Sequence, residues 1–285
     1  MNGIYHICTD GLSSNILFKN ETDFIAGMNG IPLCSIATGT SVLCFCLMSN
    51  HVHFVIKGNE KNCRDFIIMY KKHMAAKISG LKGTFIKEIG DTEYLKSVIA
   101  YVLRNPVAAN MRVTPGEYKW GSGNLYFADR SKSCFTSESG FPVRRLGSMK
   151  WREIRSIINS HVRLPDDYTV TSDGLILPHN YVDYGFVENI YVSPKQYLYY
   201  LAKNDDLENE LESGLLRSIN YSDTELYSSM TDLCMSIFRK NDPASLTIEE
   251  KFKLAILLRK RYGSGTRQVA RLTGMDSETL KKIGF

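Results

Sequence analysis

An α+β fold, built on a small antiparallel sheet with helices and followed by a mainly helical C-terminal region, is what this 285-residue sequence predicts. Three observations carry the expectation. Strand-like and helix-like runs come in the order strands, helix, hairpin, helix, helix, which suits an antiparallel sheet covered by helices on one face. The hairpin pattern is two apolar, β-branched runs flanking Ser49-Asn50. Residues 246–285 read as helix, then helix-turn, then helix.

In chain order, residues 3–8 and 15–18 read as short strands around an Asp10-Gly11 turn. Residues 21–28 read as a helix with Asn20 as its N-cap. Residues 41–48 and 51–57 form the hairpin, though Ser-Asn is a weaker turn signal than Asn-Gly. Residues 62–78 have helical spacing, with Phe66, Ile67, Met69, Tyr70 and Met74 as the apolar stripe. Residues 91–104 read as a further helix capped by Asp91 or Thr92. It stops at Asn105-Pro106, because a residue before proline is pushed out of the helical region. Residues 130–148 are polar and contain Gly, Ser and Pro, which marks a boundary. The chain thus divides into residues 1–129, an accessory region 149–243 and a C-terminal segment 246–285. In the accessory region, runs such as Tyr197-Leu198-Tyr199-Tyr200 read as helix core.

Apolar residues make up 44% of the chain and charged residues 23%, ordinary for a soluble globular protein. No apolar run approaches the roughly 18 residues that a membrane span needs, and the first residues lack the basic start of a secretory leader. The seven cysteines are odd in number and lack C-x-x-C spacing, so they read as reduced thiols of a cytoplasmic protein. The net charge is +5; residues 246–285 hold nine basic residues against four acids, which leaves the remainder neutral. A basic end suits a polyanionic partner, and equally a solvated helix face.

His51 and His53 stand two apart on a strand, so their side chains share one face while Val52 points to the other. Both imidazoles can reach one divalent cation, which would polarise a phosphate oxygen. Many unrelated histidine pairs share this spacing. Tyr101 and Asn105, four apart on a helix, also share a face. Asn105 offers a neutral oxygen to the same metal, and Tyr101 a nucleophile able to store a cut phosphodiester. Among sixteen tyrosines, Tyr70 is the main competitor, but its apolar neighbours fit a core-facing stripe better.

Together these pieces resemble the REP-associated tyrosine transposase branch of the single-tyrosine HUH transposase family. Residues 46–56, Cys-Leu-Met-Ser-Asn-His-Val-His-Phe-Val-Ile, look like its HUH signature, and 101–109, Tyr-Val-Leu-Arg-Asn-Pro-Val-Ala-Ala, like its tyrosine signature. Gly3-Ile4-Tyr5-His6-Ile7 is similar to its opening strand, and the likeness runs on to Trp120-Gly121-Ser122. The resemblance implies a ferredoxin-like HUH nuclease domain over residues 1–129 and a Mg²⁺ or Mn²⁺ cofactor held by His51, His53 and Asn105. It implies that Tyr101 cuts single-stranded or hairpin DNA, often palindromic repeats, leaving a 5′-phosphotyrosine and a free 3′-hydroxyl that can be rejoined. Three departures stand out. The opening strand ends in Asp10-Gly11 instead of Arg-Gly, Met48-Ser49-Asn50 replaces Met-Pro-Asn, and Gly83 to Glu88 is shorter and less basic than in many relatives.

At the C-terminus, residues 266–275 and 277–283 resemble a helix-turn-helix of the kind found in bacterial replication initiators, with Gly274 at the turn. Arg267, Arg271, Lys281 and Lys282 are its candidate phosphate contacts. The sequence is compatible with a monomer or a homodimer and implies no membrane partner. One rival reading is a domesticated, sequence-specific DNA-binding protein with little or no nuclease activity, against which the intact His51, His53, Tyr101 and Asn105 set argues. Another is a zinc protein using Cys44, Cys46, His51 and His53, but free cysteine is common in buried apolar strands.

Overall fold

The computed structural model describes residues 2–9, 16–78, 81, 83–109, 111–128, 143–203, 223–262 and 266–282. They fall into two compact units, Met1–Asn105 with Val113–Asn204, and Pro106–Arg112 with Asp205–Phe285. No described helix is long and apolar enough to cross a membrane.

In the first unit, strands β1 (Gly3–Cys8), β2 (Ser41–Leu47), β3 (Val52–Gly58) and β4 (Phe85–Ile89) alternate with helices α1 (Glu21–Thr38), α2 (Glu60–Met74) and α3 (Thr92–Ala108). The sheet order is β2-β3-β1-β4, antiparallel throughout, which is the ferredoxin-like arrangement of a split β-α-β unit. The hairpin forms as expected, with Cys46 opposite His53 and Leu47 opposite Val52. Side chains alternate along β3. Phe54 meets Phe66 and Tyr70 of α2 at 5.3 and 5.0 Å between ring centroids. His53 points the other way and meets Tyr101 of α3. The helices therefore do not share one face: α1 and α2 cover one side of the sheet and α3 the other.

Helix α1 begins where expected, the Asn20 carboxamide oxygen accepting the Asp23 N–H at 3.0 Å, but it runs on to Thr38. Gly27, Gly30 and Pro32 disguise this stretch as a breaker, and two of them, Gly27 and Pro32, have an evident reason. A Cβ on Gly27 would come within 2.6 Å of Phe18 and 2.7 Å of Leu47, so glycine permits the close approach there. Pro32 has no N–H for the Met28 carbonyl, and the Tyr181 hydroxyl donates to that carbonyl instead, at 3.5 Å. Residues 16–18 are not a strand; the Leu17 and Phe18 N–H groups both donate to the Ser49 carbonyl, at 2.8 and 3.0 Å. The expected Asp10-Gly11 turn lies outside the described residues. Strand β4 escapes a sequence reading because it is an edge strand, Phe-Ile-Lys-Glu-Ile, with two charges facing water.

The outer edge of β2 is covered. The Leu47 N–H donates to the Trp120 carbonyl at 2.9 Å, the Ser122 N–H to Phe45 at 3.1 Å, and the Asp183 N–H to Val42 at 2.8 Å. Helices α4 (Trp151–Ile158), α5 (Tyr184–Tyr191) and α6 (Pro194–Ala202) and the short pair β5 (Val143–Arg145) and β6 (Thr169–Thr171) belong to the same unit. Asn29, 1% exposed, ties α1 to them: its amide donates to Gly174 at 2.8 Å and its oxygen accepts from the Ile176 N–H at 2.9 Å.

The second unit contains α7 (Asp223–Leu233), which continues as a π-helical turn over Cys234–Phe238, then α8 (Ile248–Tyr262), α9 (Thr266–Thr273) and α10 (Ser277–Lys282). Leu226, Met230, Leu254, Leu258, Val269 and Leu280 form its core. Gly274 between α9 and α10 has φ +66°, a left-handed conformation that glycine adopts without strain. This is the helix-turn-helix order read from the sequence.

Candidate active site

His53 is wholly buried and sits mid-sheet, opposite Cys8 on β1 and Cys46 on β2. His51 lies at the mouth of the hairpin and is partly exposed, and its ring stands 4.8 Å from that of His53, nearly perpendicular to it. Tyr101, 8% exposed, presents its ring edge-on to His53 at 5.7 Å. Asn105 brings its carboxamide oxygen to 3.4 Å from His51 Nε2. The structure thus brings together all four residues singled out from the sequence, and His51 and Asn105 are the members that reach solvent.

Hydrogen bonds fix how these groups face one another. The Asn50 oxygen lies 2.8 Å from His51 Nδ1; an oxygen can only accept, so Nδ1 carries the proton. In the neutral ring, His51 Nε2 is then a lone pair. Asn105 is fixed by its own helix. Pro106 supplies no N–H to the Val102 carbonyl four residues back, and the Asn105 side-chain amide donates to that carbonyl at 3.3 Å and to Tyr101 at 3.0 Å. With its amide so engaged, Asn105 turns its oxygen toward His51. Two acceptors therefore face each other, an arrangement that a proton, a water molecule or a cation can bridge.

His53 can complete this set through Nε2, which is buried and makes no close hydrogen bond among the described residues, while the Asn105 side chain lies near enough to act on its ring. Its other nitrogen, Nδ1, lies 3.1 Å from Nε2 of His6 on β1, with the ring planes 8° apart and centroids 5.4 Å apart. Planes so parallel with nitrogens so close place the rings edge to edge, in line for an N–H···N bond. When His53 donates its Nδ1 proton to His6, Nε2 keeps a lone pair for a cation, the outer-partner role that fixes metal-binding histidines. The donor set of two imidazole lone pairs and one carboxamide oxygen fits a divalent ion. His6 was visible in sequence only as a histidine on the opening strand; the cross-strand register that brings it to His53 was not.

Burial lowers the proton affinity of His53 well below the ordinary histidine range, the neighbouring His51 and His6 add to this, and Asn105 opposes it weakly. Burial, then Lys87, brings His6 down to about 4. Both rings are held neutral, as ligands and their partners must be. A depressed folded pKa contributes stability that is present above the unfolded value near 6.5 and lost as pH falls toward 4. For His6 alone, unfolding by urea at pH 4 should be easier than at pH 7 by about 3 kcal/mol, and His6→Gln should remove that part of the pH dependence.

His6, Cys8 and His53 also place ligand atoms within 4.8 Å of one another, a cluster that could hold a metal ion. His53 belongs to both sets, and the in-line contact of its Nδ1 with His6 is that of a hydrogen bond, so its Nε2 face is the better ligand. The cysteine in this cluster is Cys8. Cys46 instead directs its thiol to the Met48 sulfur at 3.8 Å, and all six described cysteines are free thiols.

In the second unit, Arg271 grips Asp223 through Nε and Nη2 at 3.1 to 3.2 Å. The side chains of Arg267, Lys281 and Lys282 lie outside the described residues.

No family model matches the chain, and no curated protein matches it. Among solved structures, a REP-associated tyrosine transposase bound to a REP hairpin is similar over 46% of this chain and 81% of its own, at 10% identity and a TM-score of 0.34. That likeness is distant and concerns the fold.

Proposed function

We propose that the chain is a metal-dependent single-stranded DNA transesterase of the transposase type, with Tyr101 as nucleophile and His51, His53 and Asn105 as ligands of Mg²⁺ or Mn²⁺. The observation that carries this reading is the convergence of three lone pairs, two of them imposed by Asn50 and by the Asn105-Pro106 geometry, beside a tyrosine ring. A divalent ion there would polarise a non-bridging phosphate oxygen. The Tyr101 oxygen forms a bond to the scissile phosphorus as the bond to the 3′ oxygen breaks; the phenol gives up a proton and the 3′ oxygen gains one. The number of phosphodiester links is unchanged, so rejoining needs no outside energy source. The sheet module corresponds to residues 1–129, elaborated by the part of the accessory region up to residue 203, while the rest of that region joins the C-terminal helices. The helix-turn-helix of residues 246–285 contacts DNA phosphates through Arg267, Lys281 and Lys282, with Arg271 braced by Asp223.

Incubating the whole chain with labelled hairpin and linear single-stranded DNA in Mn²⁺ should give a covalent adduct that survives denaturation and is absent with EDTA. A panel of hairpins giving none, from a chain that still binds DNA, would favour the DNA-binding reading.

A further inference from the structure

The positive charge of the chain is not confined to its end. Residues 144–163 hold Arg144, Arg145, Lys150, Arg152, Arg155 and Arg163 against one acid, Glu153, a net of +5 within twenty residues. Acids elsewhere cancel this in the sum, so a bulk count hides it.

Helix α4 sorts these side chains. Ile154 and Ile158 are buried, Trp151 is half-buried, and Arg152, Arg155 and Asn159 face solvent. Asn159 has φ 46° and ψ 44°, a left-handed turn that folds the chain back along the helix. Arg155 then donates to His161 Nε2 at 3.1 Å, and the Arg163 guanidinium lies 5.3 Å from the centre of the Trp151 ring. Between helix and returning loop is an open groove of about 390 Å³, lined by Trp151, Arg152, Arg155, Asn159 and His161 among others, with no carboxylate in its wall. Glu153 is engaged elsewhere, by Arg144. Among the described residues neither Arg152 nor Arg155 meets a carboxylate, so mutually repelling cations are gathered around a cleft that holds an indole.

We propose that this groove binds single-stranded nucleic acid, with Arg152 and Arg155 on successive phosphates and Trp151 stacked against a base. Forked guanidiniums match phosphate oxygens, and an aromatic face beside a basic groove is how unpaired strands are held without sequence preference. A membrane surface would call for apolar side chains projecting from a convex face, and here the surface is concave and polar. Because α4 packs on α1, the groove lies on the helix layer opposite the His51 and Tyr101 face. It therefore holds a different stretch of nucleic acid from the one at Tyr101, and it does not depend on Tyr101 chemistry.

The test uses the tryptophan itself. Trp120 is 9% exposed and stacked on Phe24 at 4.7 Å, so Trp151 is the reporter. Titrating the full chain with oligo(dT) or oligo(U) should quench tryptophan fluorescence, and Trp151→Phe should abolish the quench while melting at the same temperature. Arg152→Gln with Arg155→Gln should weaken the quench-monitored binding at least about tenfold and lower the log–log salt slope by about 1.4, two phosphates' worth; the paired lysine variants should keep the slope. Quenching that is absent or insensitive to Trp151→Phe overturns the proposal. So does an unchanged salt slope in the glutamine pair, or quenching by phosphatidylserine vesicles that oligonucleotide does not relieve.

Discussion

Tyr101→Phe should reduce covalent attachment to DNA to background while Mn²⁺ binding persists. The adduct needs the phenolic oxygen, so the loss is absolute and not a matter of degree. The ring itself would stay: phenylalanine keeps the edge-on contacts with His53 at 5.7 Å and His6 at 6.0 Å. Losing the hydroxyl's interactions costs about 1 kcal/mol of stability, too little to unfold the chain. Tyr70→Phe is the matched control. That hydroxyl donates to the Gly27 carbonyl at 3.2 Å inside the α1–α2 core, and its removal should leave the adduct intact. Adduct from the Tyr101→Phe protein, resolved on a denaturing gel, would sink the assignment of nucleophile.

Pro106→Ala should move stability and metal affinity in opposite directions. Proline inside α3 leaves the Val102 carbonyl without its backbone donor, and alanine would restore that donor. Relief of an interior proline is worth up to about 3 kcal/mol, less about 1 kcal/mol for the freer unfolded chain, so the melting temperature should rise. The new backbone bond would displace the Asn105 amide from Val102, loosening the oxygen that faces His51. Disturbing such an outer support typically costs about 10-fold or more in metal affinity. Thermal unfolding and Mn²⁺ titration of the same preparation decide the matter. Affinity that holds or rises along with stability would show that Asn105 needs no help from Pro106. A merely structural proline could not produce the opposed pair.

Much of the fold could be read from the chain because its strongest signals are local. The paired runs around Ser49-Asn50, the Asn20 cap and the stripe of Phe66, Ile67, Tyr70 and Met74 each depend on neighbours in sequence. What was hidden depends on distant partners. Pro32 looks like a helix stop until Tyr181 is known to serve the Met28 carbonyl. Pro106 looks like a helix stop until the Asn105 amide takes over from it, and α3 runs on to Ala108. β4 does not stand out because Phe-Ile-Lys-Glu-Ile lacks strict apolar alternation, and with one sheet neighbour an edge strand tolerates a charge on each face. In the site, His51 with His53 and Tyr101 with Asn105 are legible as pairs, because period two and period 3.6 place them. His6 joins them only through the β1–β3 register, which no local pattern reveals. The basic stretch around α4 was masked in a different way, by acids elsewhere that balance it.

The bonds that fasten residues 174–183 to α1 and β2 also bear on how such a protein is inherited. Asn29 spends its whole amide on Gly174 and Ile176, and the Met28 and Val42 carbonyls take their donors from Tyr181 and Asp183. A gene rearrangement that ended the chain at residue 129 would exchange these bonds for water, at about 0.5–1.5 kcal/mol each, and would bare the apolar surface packed there, such as Phe45 against Tyr181. The sum would consume much of the 5–15 kcal/mol that keeps a typical domain folded. Residues 143–203 are therefore costly to separate from the sheet, so the histidine strand and the α4 groove should pass between lineages as one heritable piece.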